Sequence, residues 1–138
     1  MALTRPGTAA DLAEVAAIQA ACPDAAQWRA ADYLGYDLRV CIRGDRIAGF
    51  AVSRVTDPGE RELLNLAVAP EFRRLGVGAE LVQALVTATG VCVFLEVRES
   101  NRAARLFYKA QGFQEVGVRP GYYESPPESA IVMKFHSC

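Results

Sequence analysis

Arg73-Arg74-Leu75-Gly76-Val77-Gly78-Ala79 joins an apolar run with strand character, Leu63–Val68, to a run with helix character, Glu80–Ala88. Glycines without a Cβ let the backbone turn tightly and come close to a ligand. The unpaired N–H groups and partial positive charge of a helix start favour an anion. Arg73 and Arg74 add full charge and forked donors suited to phosphate oxygens. The stretch therefore has the makings of a pyrophosphate cradle between a strand and a helix, which points to an α/β fold.

Three ligand classes compete for such a cradle. A Walker loop ends in Gly-Lys-Ser/Thr, and here Gly78 is followed by Ala79-Glu80, which excludes it. A dinucleotide fingerprint is matched in its first half by Gly76-x-Gly78, with Glu96 twenty residues past Gly76 where a ribose-binding carboxylate would stand. Its third glycine position, however, is Leu81, and the 60 residues after Gly78 are too few for the rest of a doubly wound nucleotide domain. The third class is acyl-coenzyme A. The segment Asn65-Leu66-Ala67-Val68-x-Pro70-x-Phe72-Arg73-Arg74-x-Gly76-x-Gly78 resembles the acetyl-CoA-binding motif of the GNAT acetyltransferase superfamily, whose R/Q-x-x-G-x-G/A signature falls on Arg73 to Gly78. Downstream, Leu95-Glu96-Val97-Arg98-x-Ser100-Asn101-x-x-Ala104-x-x-x-Tyr108-x-x-x-Gly112-Phe113 resembles the next strand and helix of that family. The tail Arg119-x-x-Tyr122-Tyr123, followed by Ala130-Ile131-Val132-Met133, is similar to the bacterial RimI-type branch, which acetylates the N-terminal alanine of a ribosomal protein. The resemblance is good over Leu63 to Phe135 and loose over the first sixty residues.

That resemblance implies a single GNAT-like domain over residues 1–138, with a mixed, mostly antiparallel sheet and helices on both faces. It implies acetyl-CoA as cosubstrate, with Arg73, Arg74, Leu75, Gly76, Val77, Gly78 and Ala79 at its pyrophosphate. The strand Leu66-Ala67-Val68 would lie at the thioester, splayed from its neighbour at a bulge whose free N–H groups meet the carbonyl.

Composition allows this and excludes other classes. The chain has 138 residues, 51% hydrophobic and 22% charged, enough for one domain with a sizeable core. A net charge of −1 gives no global basic field for nucleic acid. Cys22, Cys41, Cys92 and Cys138 form no C-x-x-C pair, and His136 is the single histidine, so no metal site is expected. The start Met1-Ala2-Leu3-Thr4-Arg5 shows no signal sequence and no apolar run approaches eighteen residues. A cytoplasmic protein without a membrane partner is expected. The sequence leaves the oligomeric state open.

Along the chain, Leu3–Arg5 reads as a strand, and Thr8-Ala9-Ala10-Asp11 approximates a capping box before a helix that Cys22-Pro23 closes. A second helix is expected over Ala25–Leu34, carrying Trp28. Leu38–Arg43 and Ile47–Val55 form a hairpin about Gly44-Asp45, and Asp57-Pro58-Gly59 turns into the strand Glu62–Val68. After the glycine loop come the helix to Ala88, a turn at Thr89-Gly90, the strand Val91–Val97, the helix Asn101–Gln111, and strands at Phe113–Arg119 and Ala130–Phe135.

Glu96 interrupts the apolar run Val93-Phe94-Leu95-Glu96-Val97, where a carboxylate is costly without a partner or a function. It is the candidate general base; the alternative is a strand-end carboxylate paired with Arg98 or Arg105. Tyr108 is the candidate general acid toward the departing thiolate, since an ordinary phenol stays protonated at neutral pH; the alternative is a half-buried aromatic on an amphipathic helix. Asn101 shares a helical face with Tyr108 and is placed beside the cofactor, or else only caps the helix. Tyr122, Tyr123 and Glu124 precede Ser125-Pro126-Pro127, read as a loop, and are assigned to the acceptor end, with Glu124 receiving a cationic group. An α-amino group, with a pKa near 7.7–8.0, is roughly a tenth to a sixth neutral at pH 7. A lysine near 10.4 is neutral about once in 2,500, a disadvantage on the order of 3.5 kcal/mol. An enzyme with one modestly tuned glutamate is thus better matched to α-amines. Direct transfer to such an amine is the leading reading. Small-molecule amine acetylation and a non-catalytic acyl-CoA sensor are the alternatives.

Overall fold

Two short turns set up the first half of the sheet. In the computed structural model, which describes residues 3–89 and 92–135, Gly44-Asp45 links β2 (Asp37–Arg43) to β3 (Arg46–Asp57), and Pro58-Gly59 links β3 to β4 (Glu60–Val68). Gly44 and Gly59 both sit at positive φ, the conformation these tight turns require. β1 (Leu3–Pro6) adds to the β2 edge. Met1, Ala2, the expected turn residue Gly90, Val91, His136 and Cys138 lie outside the described residues.

β5 (Cys92–Arg98), β6 (Gln114–Glu124) and β7 (Pro127–Phe135) complete one seven-stranded sheet in the order β1-β2-β3-β4-β5-β7-β6. Every pairing is antiparallel except β4 with β5. The mixed, mostly antiparallel sheet agrees with the reading of the sequence. Helix α1 (Leu12–Ala20) covers one face through Val15 and Ile18, packed with Tyr33, Val40, Phe50 and Val52. Helices α2 (Val77–Thr89) and α3 (Arg102–Ala110) cover the other. Their Leu81, Val82, Leu85 and Tyr108 pack with Leu63, Leu95 and Met133. The apolar positions of α2 recur at helical spacing, which gives it one apolar face to pack on the sheet.

Two expected elements differ. Of the helix expected at Ala25–Leu34, only a 3-10 turn at Ala30–Gly35 forms. Ala26 instead donates its N–H to Asn65 Oδ1 at 3.3 Å and accepts from Asn65 Nδ2 at 2.9 Å. Gln27 Nε2 closes the carbonyls of Gln19, Cys22 and Ala25, and Gln19 Nε2 donates to the Trp28 carbonyl. Backbone groups satisfied by side chains have no need of a helix ladder. The second difference is at β6, which runs five residues past the expected end at Arg119. Pro120 and Gly121 read as breakers, but an irregularity between Arg119 and Tyr123, with Gly121 at φ +64°, absorbs them. Pairing then resumes at Tyr123–Glu128 and Glu124–Pro127. Tyr122, Tyr123 and Glu124 are therefore the end of a strand, and only Ser125-Pro126 forms the turn.

Gly49 of β3 ties this packing to the site. A Cβ there would stand 2.9 Å from the Ala67 carbonyl oxygen of β4 and 2.9 Å from Val77 Cγ1 at the start of α2. Backbone cannot swing aside as a side-chain tip can. Gly49→Ala is expected to cost about 1–3 kcal/mol, read as a lower urea midpoint at unchanged m value.

Candidate active site

The parallel β4–β5 ladder is short. It pairs Glu60 with Cys92, Arg61 with Val93 and Glu62 with Phe94, and then stops. β4 continues to Val68 against β3, while β5 continues to Arg98 against β7. The sheet thus opens as a fork between Leu63–Val68 and Leu95–Arg98. The register of β3 on β4 jumps from Val52–Asn65 to Ser53–Leu63, so Leu64 is the extra residue of a bulge at the root of the fork. This is the irregularity expected of the strand carrying Leu66, Ala67 and Val68. Beyond the bulge, the Leu66 N–H donates to its neighbour's side chain, Asn65 Oδ1, at 3.0 Å. Asn65 itself is buried, with Nδ2 donating to Tyr33 Oη at 3.0 Å and to Gln19 Oε1 at 3.3 Å.

At the open end of β4, Pro70–Phe72 forms a 3-10 turn and α2 starts at Val77, three residues earlier than the sequence suggests. Val77, Gly78 and Ala79 consequently lie in the first helical turn, where N–H groups have no partner four residues back. The Gly76 carbonyl accepts from Glu80 N at 3.0 Å. Arg74 and Gly76 both take left-handed conformations, φ +64° and +78°. Arg73, Arg74 and Leu75 are exposed. Arg43 braces the loop from β2, with Nη2 donating to Glu80 Oε2 at 2.8 Å and to the Leu75 carbonyl at 3.3 Å. The two glycines differ in purpose. Nothing lies within 4 Å of a Cβ added to Gly76, so its glycine answers to φ alone. A Cβ on Gly78 would meet Phe107 Cζ of α3 at 3.1 Å, so this glycine lets α3 close on α2.

On α3, Asn101 is the cap: its Oδ1 accepts from Ala104 N at 3.2 Å, and its amide NH2 can still donate to a ligand. Tyr108 is buried between Phe107 and Phe113, with ring centroids 5.0 and 5.5 Å away. Burial pushes its phenol well above the ordinary value, so it stays protonated throughout the neutral range.

Glu96 stands on β5 where the fork opens, its side chain only 8% exposed. Neither Arg98 nor Arg105 is its partner; they pair with Glu128 and Glu115. Arg119 Nε of β6 lies 3.1 Å from Glu96 Oε2, but off the direction of a hydrogen bond, and that buried oxygen has no hydrogen-bond partner. Desolvation raises the Glu96 carboxyl above its ordinary range, Arg119 opposes this, the neighbouring Glu62 carboxylate adds to it, and Tyr122 opposes it. The β6 irregularity turns Tyr122 to this group. The Arg119 guanidinium lies 5.5 Å from the Tyr122 ring centre, and Arg98 lies 4.2 Å from that of Tyr123. Glu124 is exposed at the hairpin end. The sequence reading missed Arg119, Glu62, Arg54 and Asn65 as members of this arrangement. The one available signal was that Asn65 and Arg119 both lie within the quoted motifs.

The fork, the spare N–H groups at the start of α2 and the two exposed arginines fit acetyl-CoA: an unpaired strand edge for the pantetheine arm and a cationic turn for the pyrophosphate. Among the described residues no cluster of His, Cys, Asp or Glu is placed to hold a metal, and no helix is long and apolar enough to cross a membrane. The family model of the acetyltransferase (GNAT) family matches residues 11–113. The chain belongs to this family. A ribosomal protein bS18-alanine N-acetyltransferase of Salmonella typhimurium is 41% identical over 95 residues, 64% of each chain. Its Escherichia coli counterpart is 36% identical over 107 residues, 73% of this chain and 70% of the relative. The crystal structure of the ribosomal-protein-S18-alanine N-acetyltransferase from Escherichia coli superposes with a TM-score of 0.84 at 29% identity, covering 99% of this chain and 94% of that one.

Proposed function

We propose that this chain, acting as one domain over residues 1–138, transfers acetyl from acetyl-CoA to the N-terminal α-amine of a protein, of the ribosomal-protein-alanine type, in a ternary complex. The observation that carries the reading is Glu96: a buried carboxylate with an unsatisfied oxygen, at the fork where a strand edge is left unpaired. The names of the similar proteins support the choice of acceptor. The turn Arg73–Gly76 and the first turn of α2 hold the pyrophosphate, and the Leu66–Val68 edge receives the acyl arm, the Leu66 N–H exchanging Asn65 for the thioester oxygen. Asn101 borders the cofactor. Glu96 takes the proton of the acceptor ammonium, directly or through a water. The reaction belongs in the cytoplasm, where newly made ribosomal proteins and acetyl-CoA meet.

Tyr108 serves the leaving thiolate. A thiol titrates near 8.5 and an ordinary phenol near 10, and burial pushes this phenol higher still. Complete proton transfer is thus uphill, and the hydroxyl helps chiefly by donating a hydrogen bond as charge builds on sulfur. Tyr108→Phe is expected to lower kcat about 10- to 100-fold with little change in the KM for acetyl-CoA. At the acceptor side, Tyr122 and Tyr123 wall the mouth of the fork and Glu124 meets a cationic residue of the incoming chain.

Mass spectrometry with two peptides tests the acceptor. One has a free N-terminal alanine and no lysine; the other has a blocked N-terminus and one lysine. Acetylation of the first alone is the expected result. Modification of the lysine peptide alone would overturn the α-amine assignment, and modification of neither, with acetyl-CoA bound, would redirect the search to small amines or an acyl-CoA sensor.

A further inference from the structure

Glu62 occupies the last paired rung before the fork, opposite Phe94, and Glu96 follows two residues after Phe94 on the same face of β5. Glu62 is buried at 8% exposure, and its carboxylate neighbours that of Glu96 closely enough to act on its protonation. Arg54, its cross-strand partner on β3, directs Nε and Nη2 to Glu62 Oε1 at 3.0 and 2.8 Å. A cross-strand ion pair alone does not require burial beside a second carboxylate. Such a placement is unfavourable, because two like charges in a poorly solvated site repel. The other charged or titratable groups facing Glu96 are Arg119, Tyr122 and Tyr123, all from β6, while its β7 neighbour is the apolar Val132.

We propose that Glu62 is a positioning residue for acetyl transfer: held by Arg54, it keeps negative charge beside Glu96 and so keeps Glu96 a competent acceptor for the proton of the incoming ammonium. The inference rests on the reading of Glu96 as the base. In the step it supports, an N–H bond of the ammonium breaks and its proton passes to the Glu96 carboxylate. The freed nitrogen pair forms the C–N bond as the C–S bond breaks. The second nitrogen proton is balanced by the one taken up at the thiolate, and the proton on Glu96 leaves to water before the next turnover. Without Glu62, the cation Arg119 would act on Glu96 unopposed by any carboxylate and weaken its hold on a proton.

The test is the pH profile of kcat for the N-terminal alanine peptide at saturating acetyl-CoA, for the full chain and three variants. Glu62→Gln should move the acidic limb to lower pH by about one unit and lower the plateau several-fold, as expected for a weaker base. Arg54→Met should move the limb the opposite way, because the cation that neutralises Glu62 is gone. The Arg54 side chain is 48% exposed, so this variant carries the test even if Glu62→Gln fails to fold. A carboxyl-carbon NMR titration of Glu96 reads the same shifts without turnover. Limbs that stay in place, or move the same way in both variants, overturn the role of Glu62. Glu96→Gln separates the two failures. If it abolishes the limb while the other variants leave it fixed, only the inference about Glu62 falls. If Glu96→Gln keeps both rate and limb, the base assignment falls and takes Glu62 with it.

Discussion

Glu96→Gln is expected to lower kcat for an N-terminal alanine peptide by about 10²- to 10⁴-fold while leaving acetyl-CoA affinity unchanged. The substitution preserves shape and removes only the capacity to take a proton. Because the Glu96 carboxyl titrates above its ordinary value of 4.5, with burial as the leading cause, the wild-type acidic limb should lie above the usual carboxylate range. The sign follows directly: activity needs the ionised form, a raised pKa keeps the group protonated to higher pH, and rate falls as pH drops through that value. In Glu96→Gln this limb should vanish. A variant retaining it would show that another group titrates.

The same environment makes a stability prediction of opposite sign. Glu96 gives up solvation on folding and gains from Arg119 a charge contact without a hydrogen bond. Its ionised form is therefore less comfortable folded than unfolded. That penalty is absent where the group is protonated in both states and sets in as pH rises above about 4.5. Glu96→Gln should accordingly melt at a higher temperature than wild type near neutral pH, with the gain disappearing in acid. Lower activity joined to higher stability is the pattern of a group retained for chemistry rather than for folding.

The sequence was most legible where one chemical requirement forces a local pattern. Gly76 and the run into α2 could be read because a left-handed turn followed by a helix start has few solutions, and the hairpins at Gly44-Asp45 and Pro58-Gly59 for the same reason. Glu96 stood out because a carboxylate breaks the apolar run of β5. What stayed hidden depends on distant partners. The stretch around Ala25–Arg29 has helix-compatible composition, but Asn65, some forty residues on, takes up the backbone groups of Ala26. Pro120 and Gly121 suggest an end to β6, yet a strand can bulge around them when β7 offers a partner beyond. Arg119 and Glu62 reach Glu96 only through strand order, because β7 lies between β5 and β6 and β4 meets β5 in parallel. Gly78 was legible as a glycine but not as a contact, since Phe107 lies on another helix.

Gly76→Val is expected to weaken acetyl-CoA binding about 5- to 150-fold while leaving kcat at saturation close to wild type, the reverse of the Glu96→Gln pattern. Gly76 holds φ +78°, and a β-branched residue is strongly disfavoured there. Strain of this kind costs on the order of 1–3 kcal/mol. If the loop relieves it by rotating, the N–H groups proposed to hold the pyrophosphate are re-aimed, and the lost free energy appears as affinity at about 1.4 kcal/mol per tenfold. Glu96, the proposed base, lies on β5, across the fork from this turn, and is spared. Calorimetry with acetyl-CoA, beside the KM, reads the effect. Gly76→Asn discriminates the cause, because asparagine tolerates the left-handed region and an added Cβ meets nothing of the protein within 4 Å. Near-normal affinity in the Asn variant would assign the glycine to backbone conformation. Equal losses in both variants would instead require that the cosubstrate itself fills the space beside Gly76, the close approach first read from the sequence.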